Sequence, residues 1–241
     1  LDGRTMTPKA RHEHAVLNKP RSVTSTVRDP EGRADLRRFL REMPEGLFPI
    51  GRLDRETTGL LLFTTDGDLA QAVLHPDHHT EKLYWLWLDE HVADDDPRLS
   101  ALASGVGIKG GLARAEQVSI LHRTGDLTEL LVVLKEGKNR QIRRMCRALD
   151  FHLVALHRRS IGPIELGTLP LGAWRSLDTG EVDGLWAATG GRDHVQERKI
   201  AALVSHAARV RADRSPHLTL EAWIGAWACA SVPACPLPSA L

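Results

Sequence analysis

The feature that most constrains this chain is a short apolar run, residues 60–64 (LLLFT), fed by a polar loop that ends at Gly59. Five residues are too few for an ordinary helix, so the run predicts a buried strand. Other strands must lie beside it, and the sequence supplies them. Residues 15–17 are apolar and close on the turn signal Asn18-Lys19-Pro20. Residues 83–88 are dense in aromatic and aliphatic side chains. Residues 117–121 and 128–134 form two further runs, joined through Thr124-Gly125-Asp126, and residues 154–161 another, followed by Gly162-Pro163.

Helices are interspersed irregularly. Leu36, Phe39, Leu40 and Met43 fall on one face of a helix predicted over residues 33–43, which Pro44 ends. Asp66-Gly67 is a turn, after which Asp68 is placed to cap a short helix through Leu74. Asn139 is placed to cap a helix to about Leu149. This order predicts an α+β fold with a mixed, mainly antiparallel sheet and flanking helices, not a βαβ repeat. The character changes after residue 182. Residues 195–212 suit a helix, and residues 222–230 are apolar with Trp223 and Trp227 but too short to span a bilayer.

At 241 residues, 42% of them hydrophobic, the chain suffices for one large or two small domains with a real core. Residues 1–13 are polar and charged and do not resemble a secretory signal. Cys146, Cys229 and Cys235 lack CxxC spacing, which argues against a disulfide framework and a zinc site and suits a reducing cytoplasm. The net charge of +1 is unevenly spread. Residues 135–159 hold Lys135, Lys138, Arg140, Arg143, Arg144, Arg147, Arg158 and Arg159 against only Glu136 and Asp150, while Asp89, Glu90 and Asp94 to Asp96 lie elsewhere. Such a patch in a nearly neutral chain suggests a polyanionic partner.

Three segments can carry chemistry. Asp54 lies in the polar loop between Arg52 and Arg55, cations that favour an ionised carboxylate able to attack an electron-poor carbon. On spacing alone the plainer account is commoner: Asp54 caps a turn or pairs with Arg52. In the second segment Ile142, Met145, Cys146 and Leu149 share one helix face, and Arg140, Arg143, Arg144 and Arg147 the other. Like charges at this spacing repel, and a bound phosphate backbone relieves the cost. A solvated surface helix is the usual alternative; the absence of acids within this helix favours a nucleic-acid face. Third, Tyr84, the only tyrosine, sits in the aromatic strand. It can stack on a nucleobase, although a core aromatic with a satisfied hydroxyl is commoner. His75, Asp77, His78 and His79 match no standard zinc spacing. Nucleotide-cofactor and serine-hydrolase motifs are absent.

Taken together, these segments resemble the RsuA branch of the pseudouridine synthases, which modify ribosomal RNA. The resemblance rests on LNKP (17–20), GRLDRETTGLLLFTTDGD (51–68), EKLY (81–84), EGKNRQIRRM (136–145) and IGPIELGTLPLGAWRSL (161–177), in that order. It implies a central catalytic cleft in the sheet and a reaction without cofactor or metal. The target uridine is flipped into the cleft. By the resemblance Asp54 is the nucleophile, Tyr84 stacks on the base and helps its final deprotonation, and Lys138 ion-pairs with Asp54. Ile142 walls the uracil pocket, and Arg52 helps hold the RNA open. Arg140, Arg143 and Arg144 are expected on the RNA. The partner is ribosomal RNA or a ribosome assembly intermediate, with no membrane, and the protein is expected to be a cytoplasmic monomer. Residues 13–182 form the expected catalytic domain. Residues 1–12 are expected to be a leader or the remnant of an N-terminal RNA-binding module, and 183–241 an extension without assigned role. Ser22 departs from the family's usual glycine, and Trp85 and Trp87 from smaller β-branched residues.

Two rivals follow. One is a catalytically inactive RNA-binding or ribosome-assembly protein on the same fold, which predicts a broken set at Asp54, Tyr84 or Lys138. The other is a carboxylate hydrolase, which needs a second acid, Glu56 or Asp66, paired with Asp54.

Overall fold

The computed structural model describes residues 12–190. Residues 1–11 and 191–241 lie outside the described residues, and with them the expected leader, the helix expected over 195–212, the apolar segment 222–230, Cys229 and Cys235. The chain divides into two units, residues 1–197 and 198–241; everything described below belongs to the first.

The chain opens on β1 (His14–Lys19) and crosses a long loop containing one short helix, α1 (Arg37–Leu40). β2 (Phe48–Ile50) and β3 (Thr58–Thr64) flank the loop 51–57, and α2 (Gly67–Leu74) follows. Next come β4 (Lys82–Asp89), α3 (Pro97–Ser104) and a small hairpin of β5 (Val106–Ile108) and β6 (Gly111–Ala113). β7 (Gln117–Thr124), β8 (Leu127–Leu134), α4 (Gln141–Ala148) and β9 (Leu153–Ile161) complete the larger elements. β10 (Ile164–Glu165), β11 (Trp174–Ser176) and α5 (Thr179–Gly190) end the described chain.

Among the described residues, nine strands form one sheet in the order β11-β1-β3-β9-β4-β8-β7, with β2 beside β3 and β10 beside β9. Every pairing is antiparallel except β3 with β9. That parallel junction covers only Thr58↔His157 and Gly59↔Arg158; farther along β3 the paired neighbour on that side is β2, from Ile50↔Leu62 to Phe48↔Thr64. Gly59 makes the junction possible. Its φ is +104°, and a Cβ there would lie 2.7 Å from the Arg158 backbone nitrogen and closer still to its carbonyl oxygen.

The apolar run behaves as expected because both faces of the sheet are covered. Leu61 and Phe63 join one buried cluster with Leu17, Leu86, Leu130 and Val132, closed by Phe39, Met43, Ile142 and Met145. Leu60 and Leu62 join the other, with Val16, Leu69, Val73 and Leu185 from the α2 and α5 side. Each such leucine contributes roughly 1.5–3 kcal/mol by leaving water, so β3 anchors two cores at once.

Several local expectations need correction. The helix expected over 33–43 shrinks to Arg37–Leu40. The Asp35 carboxylate accepts from the backbone N–H of Asp29 and Arg37, which holds the preceding residues as a loop. Leu36, Phe39 and Met43 are nevertheless buried, as the expected face required. Asp66, not Asp68, caps α2, accepting from Asp68 and Leu69 N–H. Asn139 does not cap α4. The cap position is Arg140, left-handed at φ +51°, and the Asn139 side chain accepts instead from Arg144 Nη2 at 2.7 Å. α3 has clear start signals in Asp96 and Pro97, hidden in sequence by the neighbouring acids. No helix among the described residues is long and apolar enough to cross a membrane.

Candidate active site

The site is built on the loop 51–57 between β2 and β3. The Ser25 hydroxyl clamps the loop from across the fold, accepting from Leu53 N–H at 3.0 Å and donating to the Leu53 carbonyl at 2.8 Å. Leu53 is buried in the first core cluster. Thr57 N–H closes a turn on the Asp54 carbonyl at 3.0 Å, and Ser22 N–H ties down the Arg55 carbonyl at 2.8 Å. Ser22 takes up this role at φ +64°, the left-handed backbone that explains why glycine suits the position. Asp54 is thus pinned on both sides, with its side chain about a quarter exposed.

The cations that reach Asp54 are not its sequence neighbours. Arg52 is exposed and makes no ion pair among the described residues, while Arg55 turns to Glu56 at 3.4 Å. From the cap position of α4 and from its first turn, Arg140 Nη1 and Arg143 Nε each lie 3.7 Å from Asp54 Oδ2. Arg143 is the more enclosed. Its Nη2 donates to the Glu56 carbonyl at 3.1 Å and to Thr57 Oγ1 at 3.3 Å, so it grips the loop as well as the carboxylate. Arg140 reaches back because its left-handed backbone reverses the chain at the helix start.

The ion pair expected between Lys138 and Asp54 is corrected by the structure. The Lys138 ammonium is held by the Glu136 carboxylate and donates to the Leu112 carbonyl at 2.9 Å. Glu136 is a hub: it also accepts from Gln141 Nε2 at 2.6 Å and from Arg114 N–H at 3.2 Å. The segment EGKNRQ therefore ties the end of β8 to the β5–β6 hairpin and to α4. The arginine face expected on α4 divides accordingly. Arg140 and Arg143 face Asp54, Arg144 donates to the Lys109 carbonyl of the hairpin at 3.0 Å, and Arg147 is exposed.

Tyr84 and Ile142 are buried with Leu53 in the same apolar cluster. Tyr84 belongs to a single register row that crosses the sheet, Lys19↔Gly59↔Arg158↔Tyr84↔Val132↔Val118. Lys19, read only as part of a turn signal, and Arg158, counted in the basic patch of residues 135–159, are buried cations, so Arg158 does not belong to a surface patch. The available signal was a charged residue at an apolar parity: Lys19 follows Ala15 and Leu17 in β1, and Arg158 follows Leu156 in β9. The Lys19 ammonium donates to the Pro20 and Val23 carbonyls at 2.9 and 2.8 Å. Burial pulls its pKa down to about 7, against the pull of Glu56 and Asp54.

The carboxylates a hydrolase would need are otherwise occupied. Glu56 binds Arg21 at 2.6 Å, which holds its pKa below the ordinary value, and Asp66 caps α2. His75 and His78 serve a short turn, His75 Nδ1 accepting from Asp77 N–H at 3.3 Å and His78 Nδ1 donating to the Ala72 carbonyl at 2.7 Å. No group of three or more His, Cys, Asp or Glu side chains among the described residues is arranged to hold a metal ion.

Comparison with known proteins identifies the family. The profile of a family described as RNA pseudouridylate synthase matches residues 13–148, which include the Asp54 loop, Tyr84 and all of α4. An uncharacterized RNA pseudouridine synthase of Aquifex aeolicus (strain VF5) is 35% identical over 191 residues, covering 79% of this chain and 76% of the relative. The ribosomal large subunit pseudouridine synthase B of Vibrio vulnificus (strain CMCP6) is 35% identical over 77% of this chain and 59% of its own length. A crystal structure of a pseudouridylate synthase superposes with a TM-score of 0.62 at 29% identity, covering 74% of this chain and 76% of that one. The resemblance noted in the motifs is thereby borne out: the chain belongs to the RNA pseudouridylate synthase family, enzymes that isomerise uridine in RNA.

Proposed function

We propose that this protein converts a uridine of ribosomal RNA, free or in a ribosome assembly intermediate, to pseudouridine, with Asp54 as the nucleophile. The observation that carries the proposal is the placement of Asp54. It is a partly exposed carboxylate on a clamped loop, faced by two guanidinium groups and adjoining Leu53 of the apolar cluster that contains Tyr84 and Ile142. The choice of ribosomal RNA is supported by the name of the Vibrio relative.

The reaction is an isomerisation. The bond from uracil N1 to ribose C1′ breaks and one from C5 to C1′ forms; C5 loses a proton and N1 gains one. The carboxylate serves either by attacking C1′ or by assisting elimination to a glycal, and both routes need it ionised close to the sugar. Arg140 and Arg143, each 3.7 Å from Asp54 Oδ2, face the carboxylate from the helix side. Tyr84 stacks on the extruded base and Ile142 walls it. Arg52, exposed beside the nucleophile, holds the opened RNA, and Arg144 with Arg140 meets its phosphates. Lys138 acts at one remove, by fixing the hairpin and the start of α4.

Carbodiimide mapping of pseudouridine in ribosomal RNA treated with wild type and with Asp54→Asn tests this. New pseudouridine with wild type and none with Asp54→Asn is expected. No product from wild type on naked RNA or assembly intermediates sinks the enzymatic assignment, and full activity of Asp54→Asn sinks the mechanism.

A further inference from the structure

We propose that Arg158 is a positioning residue for Tyr84, and through Tyr84 for the uracil in the pocket. The inference rests on the reading of Tyr84 as the ring that stacks on the base. Arg158 is 4% exposed, deep in β9, and makes no ion pair with a carboxylate among the described residues. Burying a guanidinium without a counter-charge costs several kcal/mol, so its presence calls for a return other than stability. Its hydrogen bonds show where that return is directed. Nε donates to the Leu60 carbonyl at 2.8 Å, continuing the β3–β9 junction beyond its two backbone pairs. Nη1 donates to the Tyr84 hydroxyl at 3.4 Å, the only hydrogen bond of that hydroxyl among the described residues. Nη2 is buried and has no hydrogen-bond partner among them.

The backbone is bent to create this contact. Between β4 and β9 the register runs Leu83↔Ser160 and then Tyr84↔Arg158, a bulge that skips Arg159. Bulges re-aim side chains, often next to active sites. Without the skip Tyr84 would face Arg159. With it Arg158 faces Tyr84, and Arg159 stacks on Trp85, 4.4 Å from its ring centroid. Gly59 adds room, since the residue opposite Arg158 in the row has no side chain. One rigid, planar fork thus links β3 to the phenol oxygen, and the angle of the tyrosine ring is set from the strand that follows the nucleophile loop. A ring misplaced by a fraction of an ångström presents the base badly to Asp54.

Tyr84 is the only tyrosine in the chain, so meta-fluorotyrosine incorporated into the full-length protein gives one fluorine NMR signal. Arg158→Met keeps the bulk of the side chain, removes an uncompensated buried charge, and should fold. It should shift or split the fluorine signal, whereas Arg159→Met should leave the signal unchanged. Single-turnover conversion by Arg158→Met should fall about 10- to 100-fold, with Kd for substrate RNA changed by less than about threefold. Arg158→Lys should remain impaired, because one ammonium cannot reach both Leu60 and Tyr84. An unmoved signal, an unchanged conversion rate, or full rescue by Arg158→Lys overturns the proposal. Absence of conversion by wild type overturns the assigned reaction instead, while the fluorine signal still decides whether Arg158 holds Tyr84.

Discussion

Arg143 Nε lies 3.7 Å from the Asp54 carboxylate, whereas Lys138, in the same basic segment, is committed to Glu136. The electrostatic support of the proposed nucleophile therefore comes from Arg140 and Arg143, and Lys138 braces the segment before the helix. Arg143→Ala should lower single-turnover conversion by about 10²- to 10³-fold, the range for losing one charged group at a reacting centre. Lys138→Ala should cost less than about tenfold and act mainly through the β5–β6 hairpin. Equal losses in the two variants would return the ion pair to Lys138.

The division of the arginine face makes a separable statement about RNA. Arg144, which donates to the Lys109 carbonyl and Asn139, and Arg147, which is exposed, make no ion pair with Asp54 among the described residues and form the outer part of the arginine face. Replacing either with Ala should reduce the salt slope of RNA affinity by about one unit. Arg143→Ala, whose guanidinium is turned inward, should lower conversion while leaving that slope nearly unchanged. Filter binding over a salt series measures both, and a slope indifferent to Arg144 and Arg147 would make the outer face an ordinary solvated one.

Lys19 predicts a pH dependence of stability. Burial lowers its pKa from the ordinary 10.5 to about 7. Between those values the unfolded chain binds more protons than the folded one, so this group makes stability rise with pH through that window. Below about 7 both states are protonated and the burial penalty is present in full. Urea titrations at pH 7.5 and 9.5 should therefore show a smaller rise in Lys19→Met than in wild type. Identical rises would mean that the ammonium is not buried in solution.

Two backbone positions give opposite signs. Gly59→Ala forces a Cβ into the Arg158 backbone at the one parallel junction and should cost more than about 3 kcal/mol, because neither strand can move away. Ser22→Gly relieves a left-handed serine and should stabilise the chain by up to about 1 kcal/mol. Thermal unfolding of the two variants checks the pair; a neutral Gly59→Ala would mean that the strands are not in contact as described.

The longer strands were legible because burial dictates their composition: β3, β4, β8 and β9 show as apolar runs. β5, β6, β10 and β11 are two or three residues long, below the length at which any period shows. Asp54, Tyr84 and the arginines of α4 stood out as residue types in motifs. Their contacts did not, because those depend on chain reversals. The left-handed turn at Arg140 sends its guanidinium back to Asp54, and nothing in EGKNRQ announces that Lys138 will close on Glu136. Ser25 escaped notice altogether: it acts on Leu53, 28 residues away, through a hydroxyl that resembles any loop serine.

The narrow junction at Gly59 also shapes how the enzyme comes into being. Arg158 and the Leu60 carbonyl it holds are separated by 98 residues, and Asp54, the proposed nucleophile, lies on one side of that span while its guanidinium partners lie within it. On the proposed mechanism, a ribosome that has released only β1 to β3 has delivered Asp54 without Tyr84, Arg140 or Arg143, so the nascent chain should stay inactive until β4, α4 and β9 have docked. Closing so long a loop is slow relative to local folding. On dilution from denaturant, activity should be the last signal to recover, and two fragments divided between α2 and β4 should be inert apart and active once they recombine.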